Sequence, residues 1–394
     1  MITDVYAYEE APSAYHASIF LVGPTPRERD VPSWRPEALR ILSEIYQDKE
    51  VHIVVFVPES RTDSYYYLEQ VQWEKRHLDM ADVLLVWLPR NMNTSLKGLT
   101  TNVEFGKYIE SGKLFYGRPD QADQVKYLDW MYTEFTKRQP THTLVELSQE
   151  VSDYLDTKLK GAFPLRQKGE RCVPLHIWVT AQFQSWYQTQ KRVGNRLVDA
   201  KALWTFIIHK INCTFAYALH VHIWIASENR IKSNEFILSR PDISVVVPYW
   251  KHPTSFLDSE VVLIKEFRSP ARTQDSFVHE LPGGSHFEPG DELEVASDEL
   301  YEETSIRIAP HRFQYIDSKQ LVTTWSTHFA HVYAVELNRH EMDHIKHIAQ
   351  SGETFGVGED SEKTYVEVFT LREVEKHVDW STIGMIYQTL LALK

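Results

Sequence analysis

The sequence predicts an α/β protein built from two units. The N-terminal half reads as a doubly wound, mainly parallel sheet, and the C-terminal half as a second α/β unit. Three observations carry this expectation. Short apolar runs alternate with helical stretches over the first 120 or so positions, as strands and crossover helices do. A glycine turn followed by an acid-rich helix opens a further set of strands and helices after residue 240. The chain has 394 residues, 43% of them hydrophobic and 12% aromatic, enough for two cores of ordinary size.

In chain order, Ser18–Pro24 (SIFLVGP) is an apolar run ending in Gly-Pro, as a buried first strand entering a turn would be. Val51–Pro58 (VHIVVFVP) and Val83–Pro89 (VLLVWLP) are two more such strands, and Lys113–Tyr116 is a fourth. Helical stretches lie between them, at roughly Pro36–Asp48, Tyr66–Met80 and Asn102–Ser111. Ligands of such a sheet bind over the carboxyl ends of its strands.

The middle of the chain says less. Gln121–Phe135 and Thr143–Lys160 read as amphipathic helices, the second with an apolar stripe of Leu144, Leu147, Val151, Tyr154 and Leu155. Gly161–Gly169, with Pro164 and several basic residues, reads as a linker. The expected division is a first domain at 14–160, a linker at 161–172 and a second domain at 173–394 with an N-terminal extension, 173–241. Within that extension Gln184–His209 looks helical and Phe215–Ile225 looks like a strand.

Farther along, Val261–Arg268 reads as a strand, with Arg268 at its end. Leu281-Pro282-Gly283-Gly284 forms a glycine turn, and Asp298-Glu299-Leu300-Tyr301-Glu302-Glu303 a run rich in carboxylates. On a helix, Glu299, Glu302 and Glu303 stand at i, i+3 and i+4 and share a face. Repulsion there is relieved by a cation, and hard oxygen ligands suit Mg²⁺ or Mn²⁺. A solvated acidic face is the plain alternative. Thr327–Leu337 and Lys363–Thr370 are β-prone, and Ser381–Leu393 reads as a closing helix.

These residues resemble two families. ELPGG followed by the carboxylate run resembles the Nudix box, and with the preceding strand it resembles Nudix hydrolases of the ADP-ribose pyrophosphatase type. The resemblance implies an α/β/α fold with a mixed sheet, and metal held by Glu299, Glu302 and Glu303. It also implies catalysis by Glu303, substrate contacts from Arg268, Gly283 and Gly284, and water activation by Glu359 on a late loop. Asp298 stands where that family has Arg and Ser305 where it has Gly. The family's upstream Glu falls on Gly290, beside Asp291 and Glu292.

IFLVGPTPR, SWRPEAL, QWEKRHLDMADVLLVWLPR, LTTNVEFG and SGKLFYGRP, in that order over about residues 15–130, resemble the nucleoside 2-deoxyribosyltransferase-like family. That resemblance makes Glu104 the catalytic carboxylate at the anomeric carbon and Glu74 the acid that handles the leaving base. Phe20, Gly23, Pro24, Thr100, Thr101, Asn102 and Arg118 become substrate contacts, the threonines and Arg118 toward a 5′-phosphate. Phe20 replaces the Tyr of the classical transferases, and Gly98 replaces an Asp six residues before the nucleophile.

Composition narrows the partners. A net charge of −13 argues against nucleic acid or a membrane surface as partner. Two cysteines, Cys172 and Cys213, support neither a zinc site nor a disulfide framework. The start lacks the pattern of a signal peptide, so a cytoplasmic location is expected. The expected protein is a bifunctional, homo-oligomeric enzyme acting on small nucleotides. Its C-terminal half would hydrolyse a nucleoside-diphosphate compound such as ADP-ribose or NAD, and its N-terminal half would cleave or transfer at an N-glycosidic bond. The alternative makes the C-terminal half a nucleotide sensor that regulates the glycosidase, motivated by Asp298 and Ser305.

Overall fold

The computed structural model describes the chain except residues 29, 62–65, 162, 212, 286–291, 357–362 and 394, with only the backbone of His209. It packs as two units, Met1–Ser239 and Arg240–Lys394.

The first unit begins with β1 (Ile2–Tyr6), a short β2 (Ala14–Tyr15) and β3 (Ala17–Val22). Then follow α1 (Arg35–Ile45), β4 (Ile53–Val57), α2 (Tyr67–Met80), β5 (Val83–Trp87), α3 (Leu99–Tyr108) and β6 (Leu114–Gly117). The sheet order is β1-β4-β3-β5-β6, and every pairing in it is parallel. β3 to β6 are buried on both faces, which is why they read as continuous apolar runs rather than as alternating ones. Side chains still alternate across the pleat. Ile19, Leu21, Val55 and Leu85 face one core with Ala38 and Leu42 of α1. Phe20, Val22, Phe56 and Val86 face the other with Leu78 of α2 and Phe105 and Tyr108 of α3.

β1 is an addition to the expected elements. It pairs with β4 at the sheet edge, Ile2 opposite Ile53 through Tyr6 opposite Val57. An edge strand needs one buried flank only, so Thr3 and Asp4 interrupt the apolar pattern that marks the central strands.

α4 (Lys126–Thr136) and α5 (Leu144–Leu159) follow. Thr143 and Glu146 close a capping box on α5, and its stripe of Leu147, Val151 and Leu155 joins the first core.

The expected linker is a built part of the unit. Arg166, in β7 (Arg166–Gln167), pairs with β2 and forms a fully buried ion pair with Asp82. Its other nitrogens donate to His16 O at 3.0 Å and Val173 O at 2.8 Å. After it come α6 (Leu175–Trp178), α7 (Ala181–Arg192) and a three-stranded antiparallel sheet, ordered β10-β9-β8, of β8 (Arg196–Ile208), β9 (Cys213–Ile225) and β10 (Arg230–Ser239). Leu175, Trp178, Phe183, Leu197, Leu219 and Val221 share one core with Ala17, Leu42 and Leu155. The stretch 173–239 therefore belongs to the first unit, and the boundary falls at Ser239/Arg240 instead of at 161–172. The helix expected over Gln184–His209 ends at Arg192, and β8 takes over after the Gly194-Asn195 turn.

The second unit consists of β11 (Ile243–Trp250), β12 (Glu260–Phe267), β13 (Phe277–Glu280), β14 (Gly283–Ser285), α8 (Glu292–Thr304), β15 (Gln314–Gln320), β16 (Phe329–Glu336), α9 (Arg339–Ser351), β17 (Thr354–Phe355), β18 (Thr364–Thr370), α10 (Leu371–Val374) and α11 (Trp380–Ala392). Its sheet is mixed: β11 runs parallel to β16 and antiparallel to β12. β11 and β12 pair only at Tyr249–Val261 and Trp250–Glu260, then part. β13 pairs with β12 and β14 with β11 in the gap. Ala296 and Leu300 of α8 and Met342 and Ile345 of α9 cover one face, and Leu371 of α10 and Ile386 and Leu390 of α11 cover the other. The protein is thus α/β throughout, with a parallel N-terminal sheet and a mixed C-terminal one.

Candidate functional site

At the carboxyl end of β3 the chain turns through Gly23-Pro24. Gly23 has φ +156°, and a Cβ there would collide with Trp87 O and the Trp34 ring. Only glycine lets the turn lie this close to β5. Trp34 Nε1 donates to Pro24 O at 3.2 Å, and Arg35 Nη2 donates to Gly23 O at 2.6 Å.

Arg35 is the residue that sequence reading passed over. It is 1% exposed at the first turn of α1. It donates further to Leu21 O at 3.3 Å, Thr25 Oγ1 at 3.0 Å and Glu59 Oε1 at 2.7 Å. SWRPEAL held the signal: an arginine just inside a helix whose first turn faces the strand ends. A buried guanidinium needs a carboxylate, and Glu59 supplies one.

Glu104 and Glu74 meet this cation from α3 and α2. Both interact electrostatically with Arg35, and Glu104 also with Glu74. Burial, then the Glu74 charge, push the Glu104 carboxyl up to about 7 against the opposing pull of Arg35 and Lys107. Burial raises Glu74 as well, while a 2.8 Å hydrogen bond from Gln70 Nε2 and the charge of Arg35 hold it down. The two carboxylates expected from the sequence are therefore electrostatically coupled. A pair in this state keeps one proton available near neutral pH, which suits acid–base work at a glycosidic bond.

The other expected contacts sort by exposure. Phe20 is 1% exposed and packs on Trp73, ring centroids 6.1 Å apart. It shapes the floor and offers a substrate no surface. Thr100 is exposed in the first turn of α3, whereas Thr101 is 3% exposed and inside. Asn102 accepts a hydrogen bond from Arg90, which also donates to Gln124 O at 3.0 Å. Arg118 is committed to Asp129, at 2.9 and 3.4 Å, so a phosphate there would compete with a carboxylate already in place.

The second unit holds the other expected set. Glu303, 3% exposed, accepts from Gly283 N at 3.0 Å. The Glu299 carboxylate lies against Gly284, where any Cβ would collide with it. That close approach explains Gly284, while a Cβ at Gly283 would collide with Ser244 O and Val245 of β11. Glu302 is exposed one step around the helix. Arg268 follows directly on β12 and pairs with Glu266 at 2.7 Å and Glu280 at 3.3 Å. Ser305 takes φ +60° just past α8, the left-handed position that a helix end usually gives to glycine. Glu359, Gly290 and Asp291 lie outside the described residues. Among the described residues, no three acidic, histidine or cysteine side chains form a metal cage. Mg²⁺ does not require one, since one or two carboxylates, waters and substrate phosphate complete its octahedron. Glu299 and Glu303, with Glu302 exposed beside them, would have to supply such donors singly, with waters and phosphate completing the shell.

Among the described residues no helix is long and apolar enough to cross a membrane. Residues 16–121 match the family model described as nucleoside 2-deoxyribosyltransferase like. No curated protein matches the chain.

Proposed function

From a nucleoside 2-deoxyribosyltransferase-like domain at the N-terminus, we propose that the first unit cleaves or transfers at the N-glycosidic bond of a nucleoside or nucleotide. The observation that carries this reading is the Glu74–Glu104 pair beside buried Arg35, at the carboxyl ends of β3 and β4. One carboxyl gives a proton to the departing base. The other, ionised, faces the anomeric carbon as nucleophile or as partner of the oxocarbenium ion. Arg35 keeps the pair from losing all its charge and pins the Gly23-Pro24 turn against which the sugar would rest. The test is a product assay on the full chain with nucleosides and nucleoside 5′-monophosphates, with and without a second free base. Free base and free sugar mean hydrolysis, and base exchange means transfer. A panel left intact overturns the reading.

For the second unit a separate observation, the convergence of Glu299 and Glu303 on Gly283-Gly284, supports a Nudix-type diphosphate site. Glu299, Glu302 and Glu303 would hold Mg²⁺ or Mn²⁺, which when bound supplies charge neutralisation and a more acidic water. Glu303 fixes the β14 backbone through Gly283 N, so the glycine strand and the acidic helix keep one geometry. Candidate substrates are ADP-ribose and NAD-like compounds, and the two units together would make a bifunctional nucleotide-processing enzyme. Monophosphates formed from ADP-ribose, and lost with chelator or in Glu302→Gln, would support turnover. Binding of ADP-ribose without consumption would support the sensor reading instead.

A further inference from the structure

Residues 1–15 lie outside the family match, yet they build one wall of the first site. β1 adds to the sheet beside β4, which brings the turn after it to the same carboxyl end as the carboxylate pair. That turn is tightly made. Tyr6 N donates to Glu9 Oε2 at 2.9 Å, Glu9 N to Tyr6 O at 3.0 Å, and Ala7 N to Glu59 O at 3.0 Å. From α2, Trp73 Nε1 donates to Glu9 O at 3.3 Å. Arg61 spans Asp4 and Glu9 and lies 4.0 Å from the Tyr6 ring centroid.

Within the turn Tyr8 has φ +72°. A bulky side chain rarely adopts the left-handed region, and such strain persists only where the surroundings over-determine it, commonly at functional sites. The effect is to set the Tyr8 hydroxyl at the entrance of α2. It accepts from Tyr66 N at 3.3 Å and has Tyr66 O and Gln70 Oε1, each at 3.4 Å, as acceptors for its own proton. Gln70 Nε2 donates to Glu74 Oε1 at 2.8 Å and to Pro58 O at 3.4 Å.

The amide has little choice of orientation. Pro58 O can only accept, so it needs the NH₂ end of Gln70, and the Tyr8 hydroxyl meets the carbonyl end. A flip would place two acceptors against each other at Pro58 and turn a carbonyl toward Glu74. The N–H aimed at Glu74 Oε1 finds an acceptor in either form of the carboxyl, and the bond is stronger to the ionised one, which it therefore favours.

We propose that Tyr8, acting through Gln70, is a positioning residue for the carboxylate pair: it fixes an amide N–H on Glu74, so that in the resting protein Glu74 is the acceptor and Glu104 keeps the proton. The inference rests on the reading of Glu74 and Glu104 as the reacting pair, and it reverses the roles that resemblance alone assigns them. The charged and titratable groups facing Glu74 agree with it. Burial raises Glu74, and against it Gln70 on its own helix and Arg35 from α1 favour the ionised form. Glu104 from α3, raised by burial and by the Glu74 charge, is the neighbour that takes up the proton. Arg35 and Lys107 pull Glu104 the other way, and the Tyr108 phenol also faces it.

The first part of the test needs no substrate. The full chain is labelled with ¹³C at the glutamate carboxyl carbons and titrated by NMR, with Glu74→Gln and Glu104→Gln assigning the two signals. Glu104 is expected to titrate above Glu74. In Tyr8→Phe and Gln70→Leu the Glu74 midpoint rises and the Glu104 midpoint falls, more strongly in Gln70→Leu. Tyr8→Phe should also slow base release roughly five-fold with little change in KM, the worth of one hydrogen bond. Midpoints unmoved in both variants, or Glu74 titrating above Glu104 in the parent protein, overturn the proposal. Absence of base release by the parent protein overturns the glycosidic reading, a separate outcome from the titration.

Discussion

Glu104 shows how a single side chain records its surroundings. Its carboxyl is raised from the ordinary 4.5 to about 7, first by burial and then by Glu74. An acid whose folded value is raised disfavours folding once it ionises. The penalty is absent below about pH 4.5, grows between 4.5 and 7, and is fully present above 7. Glu104→Gln should therefore stabilise the protein by about 3 kcal/mol at pH 8 and leave it unchanged at pH 4. Denaturant unfolding at the two pH values checks this, and an equal gain at both would contradict the assigned cause. At Ser305 the backbone, not the charge, decides. Its φ of +60° costs a serine more than a glycine, so Ser305→Gly should stabilise the second unit by about 0.5–1 kcal/mol. A fall in its unfolding midpoint would show that the hydroxyl is worth more than the strain. At this scale motif and geometry touch at a few points: Glu104 and Glu74 couple to each other and to Arg35, and Glu299 and Glu303 approach Gly284 and Gly283. Arg35 and Gln70 were not readable, because each acts through a partner far away in sequence or through a hydrogen bond that only the fold sets up. That Phe20 is buried against Trp73 was not readable, because a strand residue's face follows from register, which one sequence leaves open.

Among the elements, the central strands and their helices were legible from burial on both faces. Three features were not. β1 has an edge strand's mixed pattern. The run Gln184–His209 is half helix and half strand, since apolar residues there fit either period until the Gly194-Asn195 turn is weighted. The supposed linker carries Arg166, whose partner Asp82 lies 84 positions earlier, and no local pattern announces such a pairing. Asp82 Oδ2 also accepts from Ser18 N at 2.8 Å and Ser18 Oγ at 3.1 Å, so the ion pair ties β7 to the entry of β3 and β5. Arg166→Ala strands a buried carboxylate and should cost about 3–5 kcal/mol. Thermal and denaturant unfolding of the variant measure that cost, and a loss below 1 kcal/mol would show that water or a rearranged side chain replaces the guanidinium.

For the whole molecule, the division at Ser239/Arg240 changes what a truncation should do. A fragment of residues 1–239 keeps the first core complete, with Leu175, Trp178, Phe183 and Leu219 packed beside Ala17 and Leu155. A fragment of residues 1–160 removes that cover and leaves Asp82 without Arg166. The longer fragment should unfold in one cooperative transition, and the shorter should aggregate or bind hydrophobic dye. Cooperative unfolding of both would return 161–239 to the status of an appendage. The function proposed for the first unit rests finally on its two carboxylates, and the most direct measurement is base release by the full chain beside Glu104→Ala and Glu74→Gln. Loss of one reacting carboxyl should slow release by about 10²–10⁴-fold in either variant while the fold is retained. Release at the parental rate from a folded Glu104→Ala protein would contradict the account.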